Sequence, residues 1–177
     1  MDLPATPPLR RMFAGLTEHT FFDRFGIADP ALVDYLSGLL ARFVHTDTIH
    51  CLPTSHNPRT GLAALMSEVE TLPEGGVTKR EYLRHIGDVA LFWTGLYPES
   101  IERDAAGWGR NAVINYTTFG KRSYLLASQY PGRKFENEAP LLKRLSFEFE
   151  VCAVGLREVR RDWEQIAAEN PGTGLIQ

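Results

Sequence analysis

Apolar residues recur at helical spacing along almost the whole of this chain, and that period restricts it to helix-on-helix architectures. In the segment 29–45, DPALVDYLSGLLARFVH, residues Leu32, Tyr35, Leu36, Leu39, Leu40 and Phe43 follow i, i+3, i+4, i+7 spacing. Asp29 is placed to cap this helix and Pro30 to open it, where its missing N–H costs nothing. The same period marks 7–25, 62–72, 78–97 and 110–130, and a final stretch, 136–169, that reads as one long helix bent near Pro140. Thr78 and Glu81 match a capping box at the start of the fourth helix. Period-two alternation is confined to Leu145–Val151, and charged residues at helical spacing on both sides favour helix there too. The predicted fold is therefore all-α: a single-domain bundle of five or six helices with a long C-terminal helix. It spans 1–177, with 1–7 and 170–177 as frayed ends.

A chain of 177 residues can bury roughly 70% of its unfolded surface, enough for a core without disulfides or metals. A net charge of −3 offers no bulk attraction for nucleic acid or acidic lipid. No apolar run approaches the roughly 20 residues of a membrane span, and MDLPATPPLRRMF lacks the apolar segment of a signal peptide. Cys51 and Cys152 are too few and too far apart for a disulfide framework, which points to the cytoplasm.

Projected at about 100° per residue, the helix 78–97 carries most of its large apolar residues on one half. Arg80, Arg84, Gly87, Leu91, Thr94 and Gly95 fall on the other. Two helical glycines, each costing roughly 1 kcal/mol against alanine, imply close approach of another helix. The small residues Gly120, Ser123 and Ala127 of 110–130 supply a matching stripe, with Tyr116 beside it. The last helix has a main stripe from Leu141 to Ile166 and a second apolar patch, Phe147, Val151 and Val154, on another side. The patch is a candidate interface for a partner or a second copy.

Candidate chemistry is sparse. His85 and Asp88 lie one turn apart, as in an imidazole–carboxylate acid–base pair, and Arg84 is spaced to pair with Asp88. Lys121, Tyr116 and Tyr124 could join them from 110–130 in a polar pocket between the two helices. No GxSxG, HExxH or phosphate-loop motif fixes a nucleophile or metal; GKRS at 120–123 lacks the upstream glycine, since position 115 is Asn. His45, His50, Cys51 and His56 share one loop, but their spacing follows no standard zinc site, so no metal or cofactor is assigned. Arg157, Arg160 and Arg161 are interleaved with Glu158, Asp162 and Glu164 and read as a solvated face.

Together, LRHIGDVALFWTGLYPES, GKRSYLLAS and LLKRLSFEFEVCAVGLREVRRDW resemble a family of small all-helical bacterial proteins, itself uncharacterised, over most of 30–165. The resemblance implies a bacterial, cytoplasmic, helical protein and transfers no activity and no site residues. The expected function is a non-enzymatic helical interaction module, a regulator or adaptor that binds a protein partner or forms a homo-oligomer, with no nucleic acid and no membrane. The alternative is a small enzyme or ligand-binding protein using the polar pocket between 78–97 and 110–130.

Overall fold

The computed structural model describes residues 7–44, 58–74, 76–103, 111–130 and 132–170. Among them are eight α-helices and no strand: α1 (Pro7–Glu18), α2 (Pro30–Val44), α3 (Pro58–Thr71), α4 (Val77–Leu96), α5 (Pro98–Arg103), α6 (Ala112–Ser128), α7 (Ala139–Phe147) and α8 (Phe149–Glu169). The expected five or six become eight because one short helix, α5, occupies a segment read as a connection and because the last helix is two. Proline begins α1, α2, α3 and α5, the position at which a fixed φ helps and a lost donor costs nothing. No helix among the described residues is long and apolar enough to cross a membrane. Of the ends expected to fray, only Pro7 and Asn170 are described. Pro7 opens α1, and Asn170 closes α8 with its backbone N–H on the Ile166 carbonyl at 3.1 Å.

Asp29 caps α2 as its sequence requires: its Oδ1 accepts from the N–H groups of Ala31 (2.9 Å) and Leu32 (3.2 Å). The capping box at Thr78 does not form. The helix already starts at Val77 after Gly76, and Glu81 turns to Arg80 (2.6 Å) and Arg84 (2.9 Å). The pull of two guanidiniums outweighs a reach back to one backbone donor.

The helix expected over 7–25 is continuous but changes pitch. Residues His19–Arg24 form a π-helical turn, in which one extra residue per turn rotates the following side chains. The rotation delivers the buried Phe21 ring onto Gly155, where a Cβ would stand 2.3 Å from the ring. Arg24 reaches Glu158 (3.3 Å) and Asp162 (3.1 Å) of α8.

The final helix breaks at Glu148 (φ −100°, ψ 21°), not at Pro140, which sits harmlessly in the first turn of α7. Two contacts hold the redirected chain: the Ser146 hydroxyl donates to the Lys121 carbonyl at 2.7 Å, and the Phe149 ring fills the notch at Gly120. From there α8 crosses α4, with Leu156 against Gly95.

The central element is α4, not the last helix. Arg80, Gly87, Asp88, Leu91, Thr94 and Gly95 are all buried, so the half that projection left polar is covered as well. Helices α6, α8, α3 and α2 pack around it. Its end is set by Pro98, which cannot continue the ladder, and Arg160 of α8 donates to the Leu96 carbonyl left open there. The Arg160 guanidinium also lies over the Tyr97 ring, 4.5 Å from its centre. Of the charges on this side of α8, Arg157, Arg161 and Glu164 are exposed, whereas Glu158, Arg160 and Asp162 are half-buried.

Candidate functional site

Asp88 is the best-connected polar group of the interior. It is 3% exposed, and the turn of α4 that carries it faces both α2 and α6. Its Oδ1 accepts from the Tyr35 hydroxyl at 2.6 Å and the Tyr124 hydroxyl at 2.7 Å; its Oδ2 accepts from the Arg42 guanidinium at 3.2 Å. A buried carboxylate costs several kcal/mol unless it is paired and hydrogen-bonded, and here three donors from two neighbouring helices supply that compensation. Burial, then the charge of Asp88 and its hydrogen bond, push both tyrosine hydroxyls well above their ordinary pKa. They are neutral donors at any ordinary pH. With both oxygens engaged by protein donors, Asp88 is equipped to join α2, α4 and α6.

Tyr124 reaches Asp88 because Gly87 lets it pass. A Cβ on Gly87 would lie 2.6 Å from the Tyr124 ring, so the absence of a side chain there creates the slot for the aromatic ring. Gly120 does the same a turn earlier on α6: a Cβ would meet Phe149 at 2.5 Å and Ala90 at 2.9 Å. Helices α4 and α6 therefore approach closely with Gly87 against Tyr124 and Gly120 against Ala90, not with one small-residue stripe on the other, and Gly95 faces Leu156 and Ala153 of α8. Tyr116 is fully buried on the same stripe of α6.

Other expected members of the polar group make contacts elsewhere as well. His85 is half-buried, and its ring stacks on Phe43 with centroids 6.0 Å apart. Arg84 turns from Asp88 to Glu81 (2.9 Å) and to Glu138 (3.5 Å). Burial opposes its charge, but Asp88, Tyr35, Glu81 and Glu138 together hold its pKa above the usual value. Arg80, 2% exposed, joins this network through Glu81 and Glu138, with its guanidinium 4.1 Å from the centre of the Phe135 ring. Lys121 points to the surface, where its ammonium is 2.7 Å from Glu150.

Sequence reasoning missed Tyr35 and Arg42 as partners of Asp88. Tyr35 counted only as a member of the apolar stripe of α2. The signal available was the i, i+7 spacing that puts Arg42 two turns along the same side. The three residues of the proposed interface are exposed: Phe147 by 66%, Val151 by 42% and Val154 by 47%. Among the described residues no three His, Cys, Asp or Glu side chains are grouped to hold a metal ion. His45, His50, Cys51 and His56 lie outside the described residues.

A cleft of about 420 Å3 does open between α4 and α6, with α3 as its third wall. None of Arg84, His85, Asp88, Tyr116, Lys121 and Tyr124 lines it. Its floor is apolar, including Leu83 and Ile86 of α4, and its polar groups include Arg122 and Ser123 of α6. Neither a protein-family model, nor a curated protein, nor a solved structure matches the chain.

Proposed function

We propose that this chain is a non-enzymatic helical interaction module of the cytoplasm that docks a partner protein on the outer side of α7 and α8. The observation that carries this reading is the exposed stripe Phe147–Val151–Val154. Phe147 closes α7, and Val151 and Val154 lie about one turn apart on α8, so the patch spans the bend at Glu148 and offers a face on which an amphipathic helix can lie. Lys143 lies before the stripe and Arg157 after it, both exposed, Arg157 with one nitrogen on the Thr94 carbonyl at 3.4 Å, so acidic residues on the docking helix would complete the fit at the remaining donors. The same charges would meet each other in an antiparallel self-pairing about Val151, which makes a different protein the better partner than a second copy. The three protein donors on Asp88 count in the same direction, since they tie the buried carboxylate to α2 and α6.

The test is site-specific photo-crosslinking from position 154 in cells, read beside light scattering of the purified chain. The expected result is a monomer in isolation and one dominant adduct of defined mass in cells, lost in Val151→Glu. A purified protein of doubled mass that Val151→Glu returns to monomer would replace the partner by a second copy. Absence of any adduct, with a monomer in both backgrounds, would refute the interface.

A further inference from the structure

The cleft between α3, α4 and α6 is independent of that interface and of the Asp88 cluster. Its volume of about 420 Å3 falls within the roughly 300–1,000 Å3 typical of small-molecule sites. Val69, Leu83 and Ile86 form a floor continuous with the core, and Met66, Phe119 and Leu126 add apolar wall. Such a surface holds water poorly and is stabilised by an apolar occupant.

Polar groups are concentrated on one side. Ser123 is only 6% exposed, lines the cleft, and its hydroxyl has no hydrogen-bond partner among the described residues. Opening on the cleft, this hydroxyl can donate to a ligand in place of water. Its neighbour Arg122 is exposed at the cleft and makes no ion pair among the described residues. The other cation there, Lys79, is already held by Glu74 and the Leu72 carbonyl. Gln129, just past the end of α6, adds an amide. Glu70, also at the cleft and without an ion pair among the described residues, would repel a second negative charge.

We infer that this cleft binds a small amphiphile with an apolar body and a single carboxylate head, the body on Leu83, Ile86 and Val69 and the head on Arg122 and Ser123. An apolar floor beside a guanidinium without an ion pair among the described residues and a hydroxyl open to the cleft complements such a molecule in both shape and charge.

The test is isothermal titration of the full-length untagged protein with octanoate, 1-octanol and octylamine, which share a chain and differ in head charge. Octanoate is expected to bind at one per chain and about 10-fold more tightly than octanol, with octylamine the weakest. Arg122→Gln, at an exposed position, should remove that advantage and leave octanol unchanged. Leu126→Trp should weaken all three by filling the cleft, with its circular dichroism and Tm matching the parent. Val151→Glu should bind octanoate normally, which separates this site from the docking surface. Absence of saturable binding, preference for octylamine, or an Arg122→Gln variant that keeps the octanoate advantage would each overturn the assignment.

Discussion

Alanine at position 87 should destabilise this protein although alanine is the better helix former. On propensity alone, Gly87→Ala in the interior of α4 gains about 1 kcal/mol. The new methyl, however, would stand 2.6 Å from the Tyr124 ring, a separation that no ordinary carbon contact tolerates. To reach a normal distance the ring must retreat by about 1 Å. It has little freedom to do so. Tyr124 is fully buried, Phe149 flanks it with ring centroids 6.3 Å apart, and its hydroxyl is anchored 2.7 Å from Asp88. Overpacking of this kind costs about 1–3 kcal/mol, and loosening a hydrogen bond to a buried charge costs about 1.5–3 kcal/mol more. The net expectation is a loss of about 1.5–5 kcal/mol, measured as the shift in urea midpoint at unchanged m. Gly15→Ala is the internal control. That glycine lies inside α1, and a Cβ there meets nothing within 4 Å, so the same exchange should stabilise by about 0.5–1 kcal/mol. Equal gains at both positions would refute the close approach of α4 and α6 through Gly87.

Asp88→Ala leaves two buried tyrosine hydroxyls and one guanidinium without their acceptor and should cost about 3–5 kcal/mol in the same denaturation assay. Tyr124→Phe in the Asp88→Ala background should then cost clearly less than in the parent, as a double-mutant cycle would show. Stability should also fall in alkali. The Tyr35 and Tyr124 hydroxyls have folded pKa values raised above the usual value, and burial pushes the Cys152 thiol up to about 12 from 9.0. A raised folded pKa means that the neutral form is native. Its contribution is complete below about pH 9, begins to fade as the unfolded thiol and phenols ionise, and is lost as pH rises through the folded values. Circular dichroism against pH should show the onset above about pH 9, and Cys152→Ala should move that onset upward. Val151→Glu, at an exposed site, should change stability by no more than about 0.5 kcal/mol, so any loss of partner adduct in that variant reports the interface and not unfolding.

The structural roles of several residues follow from chemistry within one or two turns. The proline starts, the Asp29 cap and the buried stripe through Phe149, Cys152, Leu156, Val159 and Trp163 are of this kind. All were legible because helix period and capping join residues only a few positions apart. The opposite case is the Thr78–Glu81 box, a sound local pattern defeated by Arg80 and Arg84, whose own places depend on Glu138 of a distant segment.

By itself, then, the sequence determined that this chain is helical, where most of its helices begin and which stripe of each turns inward. Only the tertiary structure decided that α4 would be the central helix, that the last helix would break at Glu148, and that Asp88 would be held by Tyr35, Arg42 and Tyr124. It also decided that the cleft would open beside Arg122 and Ser123, away from every residue expected to line it. The physical reason is separation along the chain. The partners of Asp88 lie 36 to 53 residues away, and Glu138, the distant partner of Arg80, lies 58 away, so their meeting depends on how whole helices cross, and no local period encodes a crossing.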